Sequence, residues 1–167
     1  MKKILIVLAV LFITGISCKK TLDPGGGLCA CSPVSYDITL GLVIKNGAGV
    51  DLLNANTAGY FDKTKIQLYS KDASNVIKQL HFDIRQPFTY TNNLKLDYYQ
   101  LISYEIGHQA KSIDNTFYLK LGDKLYELNL KVNDRAVEKL LIDKVDAPQE
   151  LPNVNSQYLN SIYTLKI

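Results

Sequence analysis

The sequence predicts an all-β protein: an antiparallel β-sandwich, immunoglobulin-like in general architecture, with about seven to eight short strands. Three observations predict it. Apolar and polar residues alternate in short runs, the period of a half-buried strand. Clusters of Gly, Asn, Asp and Pro punctuate those runs at intervals that suit turns. No long stretch repeats every 3.6 residues, so there is no room for the crossover helices that a parallel sheet needs. Composition agrees: 11 Tyr and no Trp, with abundant Leu, Ile and Asn, suit strands and turns better than helices.

The elements follow in order. Over residues 36–45, Tyr36, Ile38, Leu40, Leu42 and Ile44 share one face, and Asp37, Thr39, Gly41, Val43 and Lys45 share the other. Asn46-Gly47-Ala48-Gly49 ends this strand with turn chemistry. Residues 51–62 carry scattered Asn, Thr and Gly and read as an irregular crossover. A strand at 65–69 follows, and Lys71-Asp72-Ala73-Ser74-Asn75 turns the chain. Residues 76–84 alternate again with Leu80, Phe82 and Ile84 inward, until Pro87 breaks the pattern. Asn92-Asn93 marks another turn. A strand over 98–106 would place Tyr98, Gln100, Ile102, Tyr104 and Ile106 on one side, before a polar loop at 107–115. The clearest unit is "TFYLKLGDKLYELNLKV", two alternating runs joined by Gly122-Asp123. A two-residue Gly-x connection predicts a type II′ hairpin. Residues 138–145 read as a strand, with a short helix as the alternative. Pro148 and Pro152 bracket a loop, and 161–167 close the chain as a strand.

Ahead of this domain, Lys2 and Lys3 precede an uncharged run over 4–13, then Thr14, Gly15, Ser17, Cys18, Lys19 and Lys20. That is the grammar of a secretory signal. The run is short of the roughly 20 apolar residues that a spanning helix requires. Cys18 resembles the lipobox cysteine of bacterial lipoproteins. The resemblance implies a diacylglyceryl group on its thiol, cleavage just before it, and acylation of the new amino group. Gly15 stands where that box prefers Leu, and the Gly15/Ser17 pair would also suit an ordinary signal peptidase, which would leave a secreted chain with a free Cys18. The Ser-Cys ending followed by polar residues matches the looser boxes of Bacteroidetes-type bacteria and favours lipidation. Each buried methylene contributes about 0.8 kcal/mol, and two or more acyl chains anchor stably.

The chain therefore divides into a lipoprotein signal peptide at 1–17, a lipid-anchored flexible tether at 18–35 and a β-sandwich at 36–167. Pro24-Gly25-Gly26-Gly27 makes the tether flexible, with a span on the order of 20–25 Å. Cys29 and Cys31 sit near its end. In an oxidising compartment they are a candidate disulfide, although a C-x-C ring is small and strained. A loop disulfide or an intermolecular contact is the favoured reading, over a redox or metal site, because two sulfurs fall short of a zinc set.

Once Lys2 and Lys3 leave with the signal, seventeen basic residues face sixteen acidic ones, a net charge of +1. No basic stripe appears, so no nucleic-acid partner is expected. No phosphate loop, HExxH or GxSxG motif occurs. His81 lies on a strand opposite Leu80 and Phe82. His108, with Ser112 or Asp114 nearby, is the one candidate base for a hydrolase. Asp51, Asn54 and Asn56 could offer oxygens to calcium, but short polar side chains in loops more often bond their own backbone. Phe88, Tyr90, Tyr98, Tyr99 and Tyr104 crowd into seventeen positions. They form either a candidate ligand surface, on Tyr90, Tyr98, Tyr99 and Tyr104, or ordinary cross-strand packing.

Two stretches carry a wider resemblance. "VIKNGAGVDLLNANTAGYFDKTKIQLY" and "FYLKLGDKLYELNLKV" are similar to the opening and the later hairpin of small Bacteroidetes-type cell-envelope lipoproteins without an assigned activity. The likeness covers most of residues 36–132. It implies a cell-envelope placement and carries over no catalytic residue. The expectation is a lipid-anchored envelope protein, at the outer membrane by the Lys19 that follows the cysteine, acting as a non-catalytic binding or structural module. The membrane and a protein or glycan would be its partners, and no cofactor is expected. A glycan-binding accessory protein using the exposed tyrosines and an envelope hydrolase using His108 are the alternatives.

Overall fold

The β1 strand, Leu40–Lys45, organises the molecule because both of its faces are covered. In this computed structural model, residues 38–91, 94–133, 136–150 and 162–167 are described, and all belong to one unit, Tyr36–Ile167. Cys18, Cys29 and Cys31, like Tyr36 and Asp37 at the start of the expected first strand, lie outside the described residues. The described chain is all-β and sandwich-like, with antiparallel sheets. The further strands are β2 Ile66–Lys71, β3 Ile77–Gln79, β4 Asp83–Arg85, β5 Phe88–Thr91, β6 Leu94–Leu96, β7 Gln100–Ser103, β8 Thr116–Leu121, β9 Lys124–Val132, β10 Val137–Ile142, β11 Val145–Asp146 and β12 Ile162–Lys166. One short helix, α1, spans Tyr104–Gln109.

Two sheets form the layers. One has the order β12-β1-β7-β4, and the other β11-β10-β9-β8-β2-β3. From the first, Leu40, Leu42, Ile44, Leu101, Tyr163 and Leu165 point inward. They meet Ile66, Leu68, Phe117, Leu119, Leu128 and Leu140 of the second in one buried cluster. Each such side chain contributes about 1.5–3 kcal/mol on leaving water. The outer face of β1 is covered too. There Val43 packs with Ile162 and Leu96, under Phe88 and Tyr98. Leu96 belongs to the β5–β6 hairpin, which bonds to neither large sheet. That double burial is why "LGLVI" reads as a nearly continuous apolar run.

Twelve short strands replace the expected seven or eight among the described residues, and the reasons are local. The expected strand over 76–84 is split between the two sheets. β3 pairs with β2, and β4 pairs with β7. Between them Leu80 drops into the core. The peptide groups freed at the corner find new partners: the His81 amide donates to Glu105 Oε2 at 3.0 Å, and the Ser103 hydroxyl donates to the His81 carbonyl at 2.7 Å. The expected strand over 98–106 stops at Ser103, whose hydroxyl also accepts the Ile106 amide and caps α1. His108 is thus on a helix, not in a loop. The stretch read as 138–145 is β10, a tight turn and β11; Asp143 and Lys144 both have positive φ, 49° and 68°, the type I′ signature.

The 122–123 hairpin is as the sequence predicts. Gly122 has φ 58° and Asp123 lies outside the positive region, the type II′ pattern. One pairing departs from an antiparallel scheme: β1 and β12 run parallel, with Val43 opposite Thr164 and Lys45 opposite Lys166. Tight turns cannot join parallel strands, and these two come from opposite ends of the chain.

The parallel pair gives the sandwich two distinguishable ends. At one, Gly107 of α1 sits so close to Ile38 that an added Cβ would lie 2.0 Å from the Ile38 carbonyl oxygen. At the other, the Ile167 amide donates to the Lys45 carbonyl at 2.9 Å.

A lysine-lined cleft as candidate functional site

The cleft is built by the irregular segment that leaves β1. Asp51, almost fully buried, holds the start of that segment. Its Oδ1 accepts the Leu53 amide at 2.9 Å and its Oδ2 accepts the Tyr99 amide at 2.7 Å, tying the loop to the approach of β7. Asn54 accepts the Asn56 amide at 3.0 Å. Both therefore close turns on the backbone, and among the described residues no group of three or more His, Cys, Asp or Glu could hold a metal ion. Leu52 receives the Phe61 amide on its carbonyl at 2.8 Å, which brings the chain back beside the end of β1. Asp62 then caps a 3-10 turn, Lys63–Lys65, accepting both the amide and the hydroxyl of Thr64 at 2.9 and 2.7 Å. Those two bonds from Thr64 hold the Asp62 carboxyl below its usual pKa. The Gly122 amide donates to the Lys65 carbonyl at 3.0 Å and closes the far wall.

The resulting cleft has a volume of 730 Å³. Tyr60, Phe61, Thr64, Lys65 and Gln67 line one side, and Lys120, Gly122, Asp123 and Lys124 line the other, with Ile167 at its base. The Phe61 ring packs against the core, while Tyr60 stays 36% exposed. Gln67 and Lys120 are cross-strand neighbours on β2 and β8. None of Lys65, Lys120 and Lys124 has a carboxylate within ion-pair distance among the described residues. Lys45, Lys63, Lys95, Lys131 and Lys139 are each paired with an acid at 2.6–2.9 Å. Other surface lysines such as Lys78, Lys111 and Lys144 have no such pair among the described residues, and what distinguishes the cleft lysines is that three of them line one concavity. Lys65, Lys120 and Lys124, against Asp123 in the lining and Asp62 beside Lys65, leave the cleft with an excess of positive charge, strongest where low-dielectric walls narrow it.

The residues singled out from the sequence lie elsewhere. Tyr98 packs in the small outer cluster, and Lys45 Nζ stands 3.6 Å from its ring centroid. Tyr99 packs against the main core, and Tyr104, on α1, is 43% exposed. Tyr90 is on β5, and its side chain lies outside the described set. Consecutive Tyr98 and Tyr99 pack on different clusters, so the aromatic group does not share one face. His81 Nε2 lies 3.2 Å from Asp83 Oδ2 at the sheet-switching corner. The Lys63 hydrogen bond first, and His81 second, hold Asp83 below its usual pKa. Ser112 donates to Asp114 Oδ2 at 3.1 Å inside its own turn.

A second polar group lies on the outer face of the β12-β1-β7-β4 sheet. Lys45 is paired with Glu150 at 2.7 Å with both side chains largely buried, and the Thr164 hydroxyl donates to the same carboxylate. Gln100, fully buried, has neither side-chain amide atom hydrogen-bonded.

Comparison with protein-family models, with curated proteins and with solved structures finds no match. The cleft lysines carry no sequence signal that links them. Lys120 and Lys124 flank the predicted turn, but only the fold brings Tyr60 and Lys65 beside them.

Proposed function

We propose that this chain is a lipid-anchored cell-envelope protein, held through Cys18 at the outer membrane, that acts as a non-catalytic binding module through the lysine-lined cleft. One observation carries the binding reading: three lysines without an acid at ion-pair distance among the described residues line one concave surface. Unpaired like charges repel and cost stability; a complementary ligand relieves that cost. The anchor reading rests on the signal grammar and the lipobox-like cysteine. Among the described residues no helix is long and apolar enough to cross a membrane. The non-catalytic reading rests on the cleft chemistry. Its described lining holds no His, Cys or Ser, and Asp123 is its one acidic side chain.

Two measurements test the proposal. Mass spectrometry of the mature chain should find Cys18 at the N-terminus carrying three acyl chains, and Cys18→Ser should move the protein out of the membrane fraction. A processed soluble product with a bare thiol contradicts the anchor. Amide exchange of the full chain in detergent micelles, with and without solubilised envelope material, should slow at residues 59–67 and 120–124. Slowing confined to other strands contradicts the cleft.

A further inference from the structure

Resting on the cleft as the binding surface, we infer that its ligand is an acidic oligosaccharide, one bearing carboxylate or sulfate groups on successive sugar rings. The three lysines come from three elements: the 3-10 turn before β2, the end of β8 and the start of β9. A ligand that meets all of them carries more than one negative group. No arginine lines the cleft. The planar fork that grips a phosphate or a single carboxylate in two places is therefore missing, and the mobile point charges of lysine suit anions spaced along a flexible polymer. The exposed Tyr60 ring offers a flat apolar surface to a sugar face. Gln67 and the Thr64 hydroxyl oxygen supply neutral hydrogen-bonding groups for sugar hydroxyls. The volume of 730 Å³ falls within the range of small-ligand sites and admits a few rings.

One exposed tyrosine and no stacked series of rings argue against a nucleic-acid strand, which is bound base by base on aromatic platforms.

The test is equilibrium binding of the full chain in detergent micelles to oligogalacturonate, dextran, poly-glutamate and phosphatidylglycerol vesicles. The inference expects oligogalacturonate to bind and dextran not to. It expects Lys120→Glu/Lys124→Glu and Tyr60→Ala each to weaken that binding by about tenfold or more, and added salt to weaken it further. Binding of poly-glutamate or vesicles in preference to oligogalacturonate, lost in the lysine variant, overturns the glycan inference and leaves the cleft as the binding surface. Indifference of every probe to the lysine variant overturns both.

Discussion

The end of the sandwich that carries α1 and the end that carries Ile167 are made of similar material, short loops rich in Asp, Asn and Lys, yet they use it differently. At the α1 end, Asp72 accepts the amides of Ser74 and Val76 at 2.8 and 2.9 Å, and Asn115 accepts those of Lys111 and Ser112 at 3.1 and 2.9 Å. Lys71 lies over the Tyr118 ring at 4.7 Å. A 460 Å³ hollow exists there, but Asp72, Asp114 and Asn115 of its lining are bonded to the chain itself, and Lys71 is its single cation beside two acids. At the Ile167 end Asp62 is bonded in the same way, while Lys65, Lys120 and Lys124 are not paired with any described acid. Volume alone does not separate a binding site from a dent in the surface. The balance of charge in the lining does: three lysines and one acid in the cleft, one lysine and two acids in the hollow.

The largest expected effect lies at the α1 end. Gly107→Ala forces a Cβ into the Ile38 carbonyl, which is backbone and cannot swing away, so stability should fall by about 3 kcal/mol in chemical denaturation. A neutral result would mean that α1 does not pin the start of β1, and the two ends would lose their distinction. Next is Gln100, which has neither a partner nor solvent. Gln100→Leu should raise stability by about 1–2 kcal/mol, the cost of a buried unsatisfied amide. A loss would show that the Gln100 amide is bonded in the folded protein. Smaller again, Asp72→Ala should cost about 1 kcal/mol by releasing two amides.

How much of this was legible in the sequence depended on range. Local signals were sufficient for the Gly122-Asp123 turn, for the inward face of β1 and for the backbone-bonding role of Asp51 and Asn54. Each depends on residues within a few positions, save that the second oxygen of Asp51 bonds the Tyr99 amide, which no local signal marks. Alternation predicts one strand over 76–84, because a period of two does not change when a chain leaves one sheet for another. Only Glu105 and Ser103, more than twenty positions away, reveal the corner at His81. Alternation predicts a strand over 98–106 that the protein ends at Ser103, which is both a strand residue and a helix cap. Tyrosine spacing drew attention to Tyr98 and Tyr99, whose rings serve packing. The cleft lysines carry no such signal, because their meaning comes from lining one concavity, and only the fold brings Lys65 beside Lys120 and Lys124.

The most direct test of the central claim is the thermal unfolding midpoint of Lys65→Ala/Lys120→Ala/Lys124→Ala at low salt. If these charges serve a ligand and not the fold, the variant should melt at or above the parent temperature, within about 0.5 kcal/mol of it or on the stabilised side. A fall as large as that of Asp72→Ala would mean that the lysines hold the cleft end together, and the contrast between the two ends would fail.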